Sequence, residues 1–180
     1  MNTTIPFPSE SAIEDFIYKK ILTEQCCPIS EDAVAYILKQ PRLGAYGIAD
    51  LIKIDFEHNP FEKSLELVVV ELKNEPLKPR DLAQLTRYMS GVNHMMASYC
   101  SRLNIDLTIR GELVGIGYDG DFVYMLEHIS DYIDCYTLNI TIENGLEVKK
   151  LGDGWYRTDS NKKDISKMVR EVYNFFKGEL

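Results

Sequence analysis

Leu67-Val68-Val69-Val70-Glu71-Leu72-Lys73 is the stretch on which the fold turns. Its first four residues are apolar at odd and even positions alike, so a strand made from them must be covered on both faces. The predicted strand runs from Leu65 to Lys73, and Pro76 and Pro79 break it off. At its end Glu71 and Lys73, two apart, project from one face while Leu72 points into the opposite layer. A carboxylate and an ammonium closing a buried apolar strand form either an ordinary solvent-facing ion pair or one edge of a polar site, and these two residues alone leave both readings open.

Upstream, Gly44 and Gly47 are poor helix residues, and Ile48, Leu51, Ile52 and Ile54 suit a strand between Leu43 and Phe56, followed by a loop signal at His58-Asn59-Pro60. Asp50 lies within this apolar segment, where an unpaired buried carboxylate costs several kcal/mol, on the order of what any unsatisfied polar group costs or more. If the two strands pair through the intervening loop, Asp50 comes close to Glu71. Two carboxylates at that distance repel, a divalent cation relieves the repulsion, and an all-oxygen site favours Mg²⁺ or Mn²⁺ over zinc. The other reading of Asp50 is a hydrogen-bonded turn or bulge residue beside Gly47.

Around this pair, a helix is expected from about Ser9 to Gln25, with Ile13, Phe16, Ile17 and Ile21 at helical spacing and Pro28 beyond its end. A second, short helix is expected over Glu31 to Leu38. Asp81 can cap a helix reaching about Tyr99, with Leu82, Leu85, Met89, Val92 and Met96 as its core-facing stripe. Ile109 to Tyr118 and Phe122 to Glu127 read as strands. Leu138 to Leu151 reads as one or two more, turning at Asn144-Gly145. A last helix is expected from near Asp164, carrying Ile165, Met168, Val169, Val172, Phe175 and Phe176. The order predicts an α/β fold, a mixed central β-sheet flanked by α-helices, and the length of 180 residues suits one domain over 1–180.

Gln84 and Tyr88 are four apart and share a helix face. Asp81-x-x-Gln84 also fits a capping box, as does Ser11-x-x-Glu14 on the first helix, so Glu14, Gln84 and Tyr88 each keep a structural reading beside a functional one. The composition narrows the classes further. No stretch approaches a membrane span, and no basic start with an apolar run marks a secretory signal, which leads us to expect a cytoplasmic protein. Cys26 and Cys27 are adjacent while Cys100 and Cys135 stand alone, so zinc or Cys-x-x-Cys redox spacing is absent and reduced thiols are expected. His58, His94 and His128 have no metal-ligand spacing, and neither a phosphate-binding Gly-rich loop nor a nucleophile elbow occurs. The formal net charge of −8 argues against gripping nucleic acid by bulk charge, but not against metal chemistry, because bound cations reverse the local field.

Taken in order, Glu14, Gly47-Ile48-Ala49-Asp50, Glu71-Leu72-Lys73 and Gln84-Leu85-Thr86-Arg87-Tyr88 resemble the motifs of the PD-(D/E)xK nuclease superfamily, and among its branches the RecB-like and NucS-like nuclease domains, which read G-x-x-D, E-x-K and Q-x-x-x-Y. The resemblance covers roughly Ser11 to Gly117, and Ala49 departs from the proline of the superfamily's name. It implies a restriction-endonuclease-like fold and a divalent-metal-dependent deoxyribonuclease using Mg²⁺ or Mn²⁺. It implies that Asp50 and Glu71 bind the metal with the Leu72 carbonyl as a further ligand. Lys73 would orient or deprotonate the attacking water and offset phosphate charge. Glu14 would act through a metal-bound water or directly on a second ion, and Gln84 and Tyr88 would orient these groups or contact the phosphate. Arg87 and Arg80 are candidate phosphate-backbone contacts, although surface arginines on a helix are usually only solvated. DNA, whether branched or single-stranded, is the implied partner, a homodimer is compatible with so small an enzyme, and no membrane is involved. The alternative is a catalytically inactive nuclease-fold protein serving as a nucleic-acid-binding or protein-interaction subunit, for which tyrosines such as Tyr118, Tyr124, Tyr132 and Tyr136 could furnish a surface.

Overall fold

The computed structural model describes residues 4–5, 7–24, 27–30, 34–58, 63–126, 128–141, 145–152 and 156–158. The elements are β1 (Thr4–Ile5), α1 (Glu10–Glu24), β2 (Tyr36–Lys39), a 3-10 turn (Gly44–Tyr46), β3 (Leu51–His58), β4 (Lys63–Leu72), α2 (Pro79–Leu103), β5 (Asp106–Gly115), α3 (Gly120–Leu126), β6 (Ile133–Thr141), β7 (Gly145–Lys150) and β8 (Tyr156–Thr158). The strands form a mixed sheet in the order β2-β3-β4-β5-β6-β7-β8, with β1 paired to the far half of β6. Pairing is parallel only at β4–β5 and β5–β6, where α2 and α3 make the crossovers, and antiparallel elsewhere. The expected mixed sheet flanked by helices is therefore what the chain forms.

The run Leu67 to Val70 occupies the centre of that sheet because its two faces meet two different layers. Val70 and Leu72 pack with Ile13, Phe16, Ile17 and Ile21 of α1, together with Leu51, Val114, Leu138 and Ile140. Leu67 and Val69 pack with Leu85, Tyr88 and Val92 of α2, together with Ile52, Leu113 and Phe122. Each such fully buried aliphatic side chain contributes about 1.5–3 kcal/mol, so both layers are needed to hold the strand.

Helix α2 starts two residues earlier than its sequence suggests. Pro79 supplies the fixed backbone angle of a first helical turn, and Asp81 accepts a hydrogen bond from the Lys78 backbone N–H at 2.8 Å, closing the box from the third helical position. Asn104, left-handed at φ 52°, ends it.

Three expectations need correction. The segment expected as a helix up to Leu38 carries strand β2 at Tyr36–Lys39, paired antiparallel with β3; residues 31–33 lie outside the described residues. Of the stretch expected as a strand over Phe122 to Glu127, Phe122 to Leu126 belongs to helix α3, and Glu127 lies outside the described residues. Asp119 Oδ1 accepts the Phe122 backbone N–H at 2.9 Å and starts the helix, and only Phe122 of the apolar run is fully buried. The segment from Leu43 is a 3-10 turn followed by a bend, and the strand proper begins only at Leu51 and runs on through His58, where a loop was expected. The helix expected from Asp164 and the residue Asn144 of the expected turn lie outside the described residues. Cys27, Cys100 and Cys135 are buried thiols outside any disulfide, and Cys26 lies outside the described residues.

Candidate active site

The β3–β4 ladder pairs Leu51 with Val70, so one further step brings Asp50 to the level of Glu71. Asp50 Oδ2 accepts the Leu72 backbone N–H at 2.7 Å, which fixes the carboxylate against the end of β4. Its backbone carbonyl accepts the Gln40 N–H at 2.8 Å, tying the bend to the end of β2. Gly47 is what lets the chain enter this bend. At φ 115° it adopts a conformation disfavoured for other residues, and a Cβ there would stand 2.9 Å from Tyr88 Cε1.

Glu71 and Lys73 are both buried, and Lys73 Nζ donates to Glu71 Oε1 at 2.6 Å. Gln84 Nε2 donates to the same oxygen at 2.6 Å and lies 2.9 Å from the Tyr88 hydroxyl. The side chain of Gln84 thus serves Glu71, and the capping-box reading of Asp81-x-x-Gln84 does not hold. Glu71 Oε2 is buried with no hydrogen-bond partner. Lys73 Nζ also stands 3.5 Å from Glu10 Oε2, at the exposed start of α1.

Glu14, 3% exposed, is likewise not a cap. Ser9 Oγ accepts the Ala12 N–H at 3.1 Å and begins α1, leaving the Glu14 side chain to face the β2–β3 edge. There its Oε2 accepts from Gln40 Nε2 at 3.2 Å, and its Oε1 lies 3.1 Å from Lys39 Nζ without an aligned hydrogen bond.

The electrostatics follow from this geometry. Burial raises the Asp50 carboxyl from its ordinary range to about 6, against the Leu72 N–H and Lys73, which favour its charge. Burial also raises Glu71 to about 7, and the charge of Asp50 adds to it. Burial alone would push Lys73 down. The hydrogen bond to Glu71 and the surrounding carboxylates outweigh it, so its pKa rises and the ammonium is held. Two carboxylates that resist ionisation beside a fixed ammonium suit a divalent cation chemically: the orphaned Glu71 Oε2 is an oxygen donor with nothing to bond. Among the described residues, no group of three or more His, Cys, Asp or Glu side chains is poised to hold a metal ion.

Asp50, Glu71, Leu72, Lys73, Gln84 and Tyr88 are thus brought together, and Glu14 stands beside them. Arg80 is not: it is solvent-facing and paired with Glu75 at 2.7 Å. The Arg87 guanidinium lies over the Tyr88 ring, 5.3 Å from its centroid. Sequence reading missed Glu10, Lys39 and Gln40. The only available signal was Gln40-Pro41, a dipeptide that argues against helix before the proline; Gln40 is in fact left-handed at φ 49°.

No family model and no curated protein matches the chain. Among solved structures it is similar to a repair endonuclease from Pyrococcus abyssi, at 18% sequence identity and a TM-score of 0.48, covering 74% of this chain and 48% of that one. The chain spans about half the length of that protein. At this level of likeness the geometry of the site, not the neighbour, has to carry the functional reading. No helix among the described residues is long and apolar enough to cross a membrane.

Proposed function

We propose that the chain is a divalent-metal-dependent nuclease that hydrolyses phosphodiester bonds, in DNA by the motif resemblance. The observation that carries this reading is the half-buried Asp50 beside the buried Glu71, with Glu71 Oε2 unbonded and the Lys73 ammonium 2.6 Å from its other oxygen. A purely structural ion pair would need one carboxylate, and leaving a second beside it unneutralised is unfavourable.

Asp50 and Glu71 would hold Mg²⁺ or Mn²⁺, with the Leu72 carbonyl as a candidate third donor. When bound, such an ion lowers both the charge repulsion against an anionic phosphodiester and the pKa of water. The chain's own residues do the rest. Leu72 N–H holds one Asp50 oxygen, and Gln84, steadied by Tyr88, holds one Glu71 oxygen, so both carboxylates are oriented before anything binds. Lys73 stays protonated and places a positive charge where the pentavalent phosphate gathers negative charge. A raised Lys73 pKa favours this electrostatic role over proton abstraction. Arg87 and Arg80 remain candidate contacts to the nucleic-acid backbone.

The test is cleavage of labelled single-stranded, duplex and forked DNA by wild type and Lys73→Ala, with Mg²⁺, with Mn²⁺ and with EDTA. Expected is metal-dependent cutting that falls by about 10²–10³-fold in the variant, the scale for losing one positioned charge donor. A Lys73→Ala protein that cuts at the wild-type rate sinks the mechanism. The acidic net charge of −8 favours a second reading, an inactive interaction subunit that keeps the fold. Failure of Mn²⁺ to bind the wild type in calorimetry is the result that would select it.

A further inference from the structure

The Lys39 ammonium is boxed in by one helix. Its Nζ contacts Asp15 Oδ1, lies 3.1 Å from Glu14 Oε1, and stands 5.9 Å from the centre of the Tyr18 ring. Its position is set by the sheet: Lys39 pairs with Leu51 in the β2–β3 ladder, and the next residue, Gln40, donates its backbone N–H to the Asp50 carbonyl. Gln40 then turns through a left-handed conformation to bring its amide to Glu14 Oε2 at 3.2 Å. Both oxygens of Glu14, the one buried carboxylate on α1, therefore face groups carrying positive charge or an N–H.

We infer that Lys39 is a built-in cation that takes the place of a second metal ion beside Glu14, so that this chain works with a single divalent ion at Asp50 and Glu71. The inference rests on the metal-site reading above. Two-metal sites hold their ions about 3.5–4 Å apart and need carboxylate oxygens free to reach both. A divalent ion arriving at Glu14 would meet an ammonium already there, and like charges in a partly buried site repel strongly. Lys39 is thus a positioning residue: it acts on the metal count through Glu14 and does not itself touch the reacting atoms.

The experiment is Mn²⁺ titration of the full chain by calorimetry at pH 8, with electron paramagnetic resonance of the saturated protein. Wild type is expected to bind one equivalent and give an uncoupled Mn²⁺ spectrum. Lys39→Met and Lys39→Gln, each checked for wild-type circular dichroism, are expected to bind two, with the broadened spectrum of neighbouring ions. Lys39→Arg, which keeps the charge, is expected to stay at one. Two equivalents in wild type overturn the inference, as does a single equivalent in folded Lys39→Met and Lys39→Gln. Should the two neutral variants not fold, Lys39→Thr, a β-branched residue suited to the edge strand β2, takes their place with the same expected count of two. No Mn²⁺ bound by wild type is a different failure: it removes the metal site at Asp50 and Glu71 itself, and this inference with it.

Discussion

Glu71 accepts two hydrogen bonds on one oxygen and none on the other, although the whole side chain is buried. Such an imbalance has a price in the metal-free protein, and its sign can be worked out. The folded-state pKa of Glu71 stands at about 7, above its ordinary value of 4.5, so the folded chain holds this proton more tightly than the unfolded chain does. The resulting stability is complete below pH 4.5 and is lost as pH rises through about 7. At about 1.4 kcal/mol per pKa unit the loss is on the order of 3–4 kcal/mol. Glu71→Gln should therefore make the metal-free protein more stable at pH 8 by an amount of this order, leave it little changed at pH 4.5, and lose Mn²⁺ binding. Urea melts at the two pH values check it; equal stability of variant and wild type at pH 8 counts against a strained carboxylate. Gly47 allows a second prediction. Gly47→Ala puts a Cβ 2.9 Å from Tyr88 Cε1 at φ 115°, which should cost about 1–3 kcal/mol and lower cleavage by shifting the ring that steadies Gln84. Wild-type activity and melting in this variant would show that the loop has room. Glu71 with Lys73, and Gln84 with Tyr88, were legible in the sequence because strand alternation and helical spacing are local, while Asp50 joined them only through the expected pairing of its segment with β4. Lys39 and Gln40 were not, because only the long-range pairing of β2 with β3 brings them to Glu14.

At the scale of elements the same division between local and long-range holds. β4 could be read from an unbroken apolar run ended by prolines and α2 from an apolar stripe at helical spacing, and the partners simply had to exist. β2 has an apolar-rich sequence with an exposed burial pattern, being an edge strand, so neither alternation nor helical spacing describes it. In α3, a seven-residue helix, too few residues are present for a period to show, and a single Asp119 cap decides its start. The strands also carry a feature no local pattern marks. Lys53 of β3 and Glu112 of β5 form a buried ion pair at 2.7 Å across β4, with Lys53 also donating to Ser30 Oγ at 2.9 Å. Removing one partner leaves the other charge buried, whereas removing both lets an apolar core form. Lys53→Met should destabilise the protein by about 3–5 kcal/mol, and the double variant Lys53→Met with Glu112→Leu should recover most of it. The cavity of about 220 Å³ that Lys53 lines with Asp55, Glu66 and Arg110 gives water a route toward the pair, which sets the single-variant loss at the lower end of that range. A double variant no more stable than Lys53→Met would mean that the pair is fixing the β3–β5 arrangement rather than merely tolerated within it.

For the whole molecule, a net charge of −8 and two carboxylates strained by burial point the same way: cations should stabilise this fold, but by two separable routes. Diffuse screening of the surface acts with any salt and falls off over about 8–10 Å at ordinary ionic strength. Binding at Asp50 and Glu71 acts only with an ion those oxygens hold, and it follows mass action, giving about 2.7 kcal/mol when free Mn²⁺ is one hundred times its dissociation constant. For a chain of this size that is a rise in Tm of roughly 5–10 °C. The binding route requires both carboxylates ionised, so it should be full at pH 8 and fade as pH falls through about 7 and about 6, where Glu71 and Asp50 take up protons. Thermal melts of wild type and Asp50→Asn, with Mn²⁺, with NaCl at matched ionic strength and with EDTA, at pH 8 and pH 5.5, separate the routes. Expected is a Mn²⁺-specific rise in wild type at pH 8, reversed by EDTA, small at pH 5.5, and absent in Asp50→Asn. A rise of the same size in both proteins, matched by NaCl, would assign all of the stabilisation to the surface and leave Asp50 and Glu71 a structural pair.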